Sequence, residues 1–181
     1  MNGREIIVGV TGGIAAYKTA ALVSRLSQAG AVVTVAMTES AKQFVGPTTF
    51  AALSGRPVAT RVFHETGQPL GAHIALAEQA ELFCVAPATA NFLAKAAHGI
   101  ADDLLSTLYL SFDGPVILAP AMNSDMWEKR AVQRNVDQLR KDGALLVGPD
   151  EGWLSCRKTG VGRMSDPETL FAEIQGILGD T

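Results

Sequence analysis

The segment that decides the fold reads Val116-Ile117-Leu118-Ala119-Pro120-Ala121-Met122-Asn123. Its first four residues are apolar and predict a buried strand, and a helical pattern over 124–141 follows at once. Asn123 therefore lies where a strand ends and a helix begins, which in an open α/β sheet is the edge at which ligands bind. An amide at this position can hold a carboxylate without adding charge, or it can cap the helix. The residues of this segment alone leave both interpretations open.

The same alternation of apolar strands and helical patterns runs along the chain. Strands are predicted over 5–10, 31–37, 82–86, 116–119 and 145–147, with a short one over 58–63. Such alternation predicts a parallel sheet covered on both faces and joined by right-handed crossovers. We therefore expect a single domain over 1–181 with an α/β fold, a Rossmann- or flavodoxin-like three-layer sandwich with a doubly wound parallel sheet. After the last strand we expect a loop over 149–163 and a helix opened by a capping box, Ser165 to Glu168, with Pro167 first.

Composition excludes several classes of protein. The chain has 181 residues, 48% of them hydrophobic, a mean hydropathy of +0.19 and a net charge of -3. It has no basic block that favours nucleic acid or a membrane surface, no apolar run of the roughly 18 residues that span a bilayer, and no signal-peptide pattern. Its two cysteines, Cys84 and Cys156, do not make a disulfide framework. We expect a cytoplasmic protein without nucleic-acid or membrane partners, in which Cys84 is inert core.

A glycine turn follows the first predicted strand, in the segment Val10-Thr11-Gly12-Gly13-Ile14-Ala15. Glycines let a ligand approach the backbone, and the helix N-terminus that follows attracts phosphate. The spacing is not G-x-G-x-x-G, and the second strand ends in Met37-Thr38 without the carboxylate that binds the ribose of a dinucleotide. The Thr38 and Ser40 hydroxyls suit a phosphate, or they cap a helix. Lys18 lacks Walker spacing, and we assign it no phosphate role.

Two further segments end at the same predicted edge. Residues 86–91 are small and leave room for a flat ring system, while Thr89 and Asn91 offer hydrogen bonds. Residues 102–107 begin with paired aspartates, which we expect to cap the following helix, since no His/Cys cluster accompanies them to bind a metal. We therefore expect no metal site.

His73 opens a predicted apolar helix after Gly71-Ala72. The positive pole of that helix disfavours an imidazolium, as does burial. A neutral imidazole can accept a proton from a substrate thiol. The alternative is a structural or capping histidine, which the residue alone does not exclude.

The motifs and their order along the chain resemble those of the homo-oligomeric flavin-containing cysteine decarboxylases. The resemblance rests on His73, Pro87-Ala88-Thr89-Ala90-Asn91, Pro120 to Trp127, and Cys156 followed by Gly160-Val161-Gly162-Arg163-Met164. It covers about residues 6–164 and implies an FMN-dependent lyase that decarboxylates 4′-phosphopantothenoylcysteine to 4′-phosphopantetheine in coenzyme A biosynthesis. It also implies a homotrimer or higher homo-oligomer with the flavin near a subunit boundary. The ligase half that many bacterial members carry is expected to be absent here.

The resemblance also assigns roles to single residues. It implies that His73 assists thiol oxidation as a base, that Asn123 orients the substrate carboxylate, and that Cys156 protonates the enethiol intermediate. FMN would oxidise the thiol side to a thioaldehyde. The chain shows no clear Schiff-base lysine for pyridoxal phosphate, the other common electron sink. The residues that match the flavin site are Gly12, Gly13, Ile14, Ala15, Thr38, Ser40, Ala88, Thr89, Ser106, Thr107, Ala121 and Met122.

The predicted flap, about residues 149–164, departs from the family pattern. The family usually has Ala-Cys-Gly-Asp where this chain has Ser155-Cys156-Arg157-Lys158. Three interpretations of Arg157 and Lys158 are open. The two cations favour the thiolate form of Cys156, which does not suit a proton donor. Alternatively, they bind the substrate phosphate, or they are solvated flap residues. We assign Asn123, Met126, Arg157 and Lys158 to the substrate. Gly152, Gly160 and Gly162 suit a moving lid.

Three alternative functions share parts of this pattern. A peptidyl-cysteine decarboxylase would share His73 and Asn123 but need a flap suited to a peptide. A flavin prenyltransferase would share the fold and FMN, but the Pro120–Trp127 segment argues against it. A non-catalytic flavoprotein that regulates a partner would not need His73, Asn123 and Cys156 together.

Overall fold

The computed structural model describes residues 1–62 and 72–179. Its strands are β1 (Glu5–Val10), β2 (Val32–Met37), β3 (Leu82–Ala88), β4 (Val116–Pro120), β5 (Leu145–Leu146), β6 (Asp150–Trp153) and β7 (Thr159–Arg163). Its helices are α1 (Ala16–Gln28), α2 (Pro47–Ser54), α3 (Ala72–Gln79), α4 (Ala90–His98), α5 (Leu104–Ser111), α6 (Ser124–Trp127), α7 (Arg130–Lys141) and α8 (Pro167–Gly179), with a 3-10 helix at Glu39–Gln43.

The first five strands form a parallel sheet in the order β2-β1-β3-β4-β5. This is the flavodoxin-like order, and the direction of the chain through the sheet reverses between β1 and β3. The predicted α/β fold is therefore confirmed. In such sheets ligands bind in the crevice beyond the carboxyl ends of the strands at that reversal.

Helices cover both faces of the sheet. Neighbouring strand residues point to opposite faces, and Ile6 and Ile7 of β1 are both buried, in two separate apolar clusters. One cluster joins the sheet to α1, α2 and α8, with Phe50 and Ile174 in its interior. The other joins it to α3, α4, α5 and α7, around Phe83 and Leu105. The sheet is thus a central layer that holds the strand ends rigidly in place.

The structure corrects several details. The predicted helix over 124–141 is two helices, because the chain is extended at Lys129, after a short turn that lets Trp127 pack on the second cluster. The predicted loop over 149–163 contains a hairpin, β6 and β7. In the segment over 58–63, Ala59 makes only an isolated bridge to Ala36, and Phe63 lies outside the described residues.

The last helix begins at Pro167, as predicted. The Ser165 hydroxyl, expected in a capping box, instead donates to the Asp150 carboxylate over 2.9 Å and joins the two ends of the hairpin. Cys84 is fully buried in β3, and burial raises the pKa of its thiol to about 12, which fits the predicted inert role. No helix within the two described ranges is long and apolar enough to cross a bilayer.

Candidate functional site

A cleft of about 1080 Å³ opens at the reversal point, beyond the ends of β1, β3 and β4. Most of the residues predicted from the sequence to form the site line it, namely Gly12, Gly13, Ile14, Ala15, Thr38, Ser40, Thr89, Ala121, Met122, Asn123, Met126 and Cys156. The structure thus gathers the glycine turn, the edge of β3, the Asn123 segment and the flap around one space.

Other predicted site residues lie away from the cleft lining. Ala88 is buried within β3. Ser106 takes part in a capping box with Asp103, and the Thr107 hydroxyl donates to the Asp103 carbonyl over 2.7 Å. The capping role predicted for the aspartate pair is confirmed at Asp103, and the flavin contacts predicted for Ser106 and Thr107 stay a prediction.

Thr11 ties together the two strands on either side of the reversal. Its side chain is buried, and its hydroxyl donates to the Pro87 carbonyl over 2.6 Å while accepting the Thr89 N–H over 3.1 Å. Thr89 in turn caps α4, since its hydroxyl accepts the Phe92 N–H. The sequence signal, a threonine at the end of a buried strand, was present, but the partner strand could not be read from it.

The glycine turn lies directly against the segment that carries Ser40. A Cβ atom added at Gly12 would lie 2.4 Å from the Ser40 Cβ, so glycine is required for this approach. Thr38 caps the 3-10 helix by accepting the Ala41 N–H over 3.2 Å, and Thr38 and Ser40 both line the cleft. The capping and ligand-binding interpretations of Thr38 are therefore compatible in space.

These residues fit a flavin mononucleotide. Hydroxyls and backbone N–H groups at the starts of α1 and the 3-10 helix suit a phosphate, while Ala15, Ala90 and Ala121 leave room for a ring system. The cleft volume of about 1080 Å³ lies just above the range of about 300–1,000 Å³ that is common for cofactor sites.

Asn123 caps α6 and also faces the cleft. Its side-chain Oδ1 accepts the Met126 N–H over 3.1 Å, which fixes the orientation of the amide. Within the described residues this is the one hydrogen bond of the side chain, so the NH₂ group remains available as a donor. A capped amide of this kind can donate to a carboxylate in the cleft without rearranging.

His73 lies in the first turn of α3 and does not line the cleft. Its Nδ1 atom is buried and has no hydrogen-bond partner among the described residues. The loop predicted over 64–72 precedes it, and residues 63–71 lie outside the described part of the chain. The structure of one chain therefore does not bring His73 together with Asn123.

The flap tip is a tight turn with Cys156 at its centre. The Arg157 N–H donates to the Leu154 carbonyl, and the Leu154 N–H donates to the Lys158 carbonyl, each over 2.9 Å. Arg157 has φ +63°, and among the described residues it is the one non-glycine with positive φ. Where a residue in the left-handed conformation follows a hairpin turn, that residue is usually glycine. Any other residue at that position lowers stability by about 1 kcal/mol. Cys156 is exposed and lines the cleft, whereas Arg157 and Lys158 are exposed beside it.

Comparison with known proteins identifies the family. The sequence pattern of the family described as Flavoprotein matches residues 1–179. This chain belongs to the flavoprotein family. The resemblance inferred from the motifs is confirmed, and with it the prediction of a flavin.

Two curated relatives of this flavoprotein are bifunctional proteins of coenzyme A biosynthesis named CoaBC. The Bacillus subtilis protein is 49% identical over 170 residues, which are 94% of this chain and 42% of that protein. The Escherichia coli protein is 46% identical over 170 residues, again 94% of this chain and 42% of that protein. The chain spans less than half the length of these relatives.

Solved structures agree with the fold. The FMN-dependent cysteine decarboxylase SpaF is 38% identical, with a TM-score of 0.84, and the match covers 98% of this chain and 96% of that one. A mutant PPC decarboxylase complexed with pantothenoylaminoethenethiol is 25% identical, with a TM-score of 0.87, and the match covers 98% of this chain and all of that one.

An ion-pair network that sequence reasoning missed lies at the mouth of the flavoprotein's cleft. Lys18 donates to Asp166 over 2.8 Å and to the Met164 carbonyl over 3.1 Å, and Arg163 donates to both oxygens of Asp166. Hydrogen bonds from Lys18, and then from Arg163, hold the pKa of Asp166 below its usual value. The sequence held one signal for this position. Lys18 follows buried Ala15 by three residues, and residues three apart are neighbours on a helix surface, so Lys18 could be expected beside the buried face of α1.

Lys95 and Asp103 form a second network on the cleft wall. Lys95 pairs with Asp102 over 2.6 Å and with Asp103 over 2.8 Å. Burial alone would raise the pKa of Asp103, but hydrogen bonds from Lys95 and Ser106 bring it below its usual value. Burial alone would lower the pKa of Lys95, but its hydrogen bonds to the two carboxylates raise it. Both groups are therefore charged near neutral pH.

Asp103→Asn is expected to lower the free energy of unfolding at pH 7, because asparagine keeps the helix cap but removes the charge paired with Lys95. The folded pKa of Asp103 is depressed, so its stabilisation is present above the unfolded value of about 3.9 and is lost as pH falls through the folded value. In urea unfolding, the difference from the parent chain should therefore shrink as the pH falls through the folded pKa of Asp103. Exposed Asp113→Asn is the control. A deficit in Asp103→Asn that is as large at low pH as at pH 7 contradicts the charge assignment.

Proposed function

We propose that this chain catalyses the FMN-dependent decarboxylation of 4′-phosphopantothenoylcysteine to 4′-phosphopantetheine in coenzyme A biosynthesis. The observation that carries the proposal is the Asn123 amide, oriented by its cap and facing a cleft that fits a flavin. The relatives named for coenzyme A biosynthesis and the solved PPC decarboxylase support the same substrate.

The glycine turn and the edge of β3 would hold FMN. Gly12, Gly13 and Ser40 would surround its phosphate, and Thr89, Ala121 and Met122 would adjoin the ring. The chemistry that bound FMN supplies is the acceptance of two electrons from the thiol side of the substrate and their return after CO₂ has left, without net redox change.

Asn123 would donate its NH₂ group to the substrate carboxylate and hold the carbon–carboxyl bond in one orientation. A neutral donor suits this step, because a cation would stabilise the carboxylate and so resist the loss of CO₂. The apolar side chain of Met126 lines the cleft beside it and would contact the substrate without competing for the carboxylate.

His73 would accept the substrate thiol proton in the cleft of a neighbouring copy. Its Nδ1 is buried without a hydrogen-bond partner among the described residues, and His73 lies off the cleft of its own chain, which supports a site completed between subunits. This agrees with a homotrimer or higher homo-oligomer, which stays a prediction together with the cytoplasmic location.

Cys156 would donate a proton to the carbon from which CO₂ has left, because it is exposed at the flap tip and lines the cleft. Cys156 would thus protonate the enethiol intermediate before the product leaves. Within this proposal, the hairpin of β6 and β7 is the flap of a single decarboxylase domain.

Arg157 and Lys158 would grip the substrate phosphate, and Arg157→Gly tests this role. Glycine adopts a positive φ without strain, so the hairpin should be slightly more stable. The substitution also removes the cation. We expect the KM for 4′-phosphopantothenoylcysteine to rise about tenfold, as for loss of a charge-assisted contact, while the KM for pantothenoylcysteine is unchanged. Equal changes for the two substrates would remove the phosphate contact from the proposal.

The proposed function is tested with the flavin-loaded chain and 4′-phosphopantothenoylcysteine. One CO₂ and one 4′-phosphopantetheine are expected for each substrate consumed, with the visible flavin spectrum restored at the end. A peptide ending in cysteine is the comparison substrate, because SpaF is described as a cysteine decarboxylase and is 38% identical. Decarboxylation of the peptide alone would overturn the proposal in favour of a peptidyl-cysteine decarboxylase.

A further inference from the structure

Strand β7 of the flap lies directly against the segment that carries Asn123. The Met122 N–H donates to the Gly162 carbonyl over 3.0 Å. A Cβ atom added at Gly162 would lie 2.2 Å from the Met122 carbonyl oxygen. Gly162 also has φ +151°, which side chains rarely allow. Because the obstructing atom belongs to the backbone, any other residue at 162 must push the Met122–Asn123 peptide aside.

Gly160 makes a second, softer contact on the same strand. A Cβ atom there would lie 2.4 Å from the Ser124 hydroxyl oxygen. That oxygen is buried and has no hydrogen-bond partner among the described residues, so β7 covers it closely. A hydroxyl can rotate where a peptide cannot, and the contact at Gly160 is therefore the more tolerant of the two.

The peptide of Asn123 is held from three directions. The sheet holds it through the Ala121 N–H, which donates to the Ala88 carbonyl over 3.2 Å. Helix α6 holds it through the Met126 N–H and the Asn123 side chain. The third contact, at Gly162, comes from the flap. The moving-lid role predicted for Gly160 and Gly162 stays a prediction, and both glycines allow close packing against this segment.

We propose that Gly162 is a positioning residue for the carboxylate site. It allows β7 to fix the Met122–Asn123 backbone, so that the Asn123 amide meets the substrate carboxylate. The second flap strand is thereby part of the binding site. This inference rests on the proposed function, because it assumes that Asn123 binds a carboxylate.

Gly162→Ala in the flavin-loaded chain tests the inference. A displaced Asn123 should lower kcat/KM for 4′-phosphopantothenoylcysteine about a hundredfold, as misplacement of a binding group by about 1 Å does. The affinity for 4′-phosphopantetheine, which lacks the carboxylate, should be unchanged. Gly160→Ala should have a smaller effect. Gly176→Ala in α8, where an added Cβ meets nothing within 4 Å, is the control and should leave both values unchanged.

A wild-type kcat/KM in Gly162→Ala, or an equal loss of affinity for acid and product, would overturn the inference. Hydrogen exchange of the unsubstituted holoprotein provides an independent readout if the variant does not fold. The Met122 amide should exchange at least about a hundredfold more slowly than the Cys156 amide at the tip. Equal exchange rates at Met122 and Cys156 would also overturn it. Failure of the unsubstituted chain to release CO₂ would instead defeat the proposed function and leave the exchange result standing.

Discussion

Asn123→Asp is expected to slow decarboxylation severely while leaving the fold and the bound flavin intact. Aspartate has the same shape as asparagine and caps a helix equally well, so the Met126 N–H keeps its partner. The change replaces the NH₂ donor by a second carboxylate that faces the substrate carboxylate. Because such like-charge contacts cost several kcal/mol, kcat/KM should fall about a thousandfold. Steady-state kinetics and the melting temperature of the holoprotein measure the two effects separately.

The product provides the control for Asn123→Asp. 4′-Phosphopantetheine has no carboxylate, so it should inhibit the variant and the parent chain at the same concentration. Weaker binding of both substrate and product would mean that Asn123 shapes the cleft in general. Retained activity would mean that Asn123 is only the helix cap that its geometry also makes it.

His73→Asn should lower kcat about a thousandfold, which is within the range that general bases contribute. Flavin content should not change, because the substitution alters none of the residues assigned to the flavin. If His73 acts in a neighbour's cleft, His73→Asn and Asn123→Asp should complement each other when coexpressed. In randomly mixed trimers, about a quarter of the clefts would pair an intact His73 with an intact Asn123 from another copy.

The complementation has two clear outcomes. About a quarter of the parent activity, against almost none for either variant alone, supports a site shared between subunits. No recovery in demonstrably mixed oligomers would place His73 in the cleft of its own chain. Homogeneous samples of each variant, mixed without exchange of subunits, are the control.

Much of the fold could be predicted because the strands are buried on both faces. Apolar runs such as Val116–Ala119 leave a strong signal, and a parallel sheet with covering helices is the arrangement that buries them. The β6–β7 hairpin was missed because Gly152, Gly160 and Gly162 interrupt the alternation that predicts strands. Glycine is required at these positions because an added Cβ would meet Arg163, Ser124 or Met122. These are tertiary contacts, which the local sequence does not reveal.

The candidate site shows the same division. The glycine turn, Thr89 and Asn123 carry local signals, since each lies at the junction of a strand and a helix. The links that hold them, such as Thr11 to Pro87 and Lys18 to Asp166, join residues 76 and 148 positions apart. No local pattern reports such pairs. The separation of His73 from the cleft was equally beyond the reach of a sequence motif.

The most direct test of the account is anaerobic mixing of the flavin-loaded Cys156→Ser chain with 4′-phosphopantothenoylcysteine. We expect the visible flavin absorbance to fall and one CO₂ to be released for each cleft, with no 4′-phosphopantetheine formed, because the proton donor is missing. CO₂ release with a constant flavin spectrum would contradict the role of the flavin as electron acceptor. Complete turnover at the parent rate would remove Cys156 from the reaction.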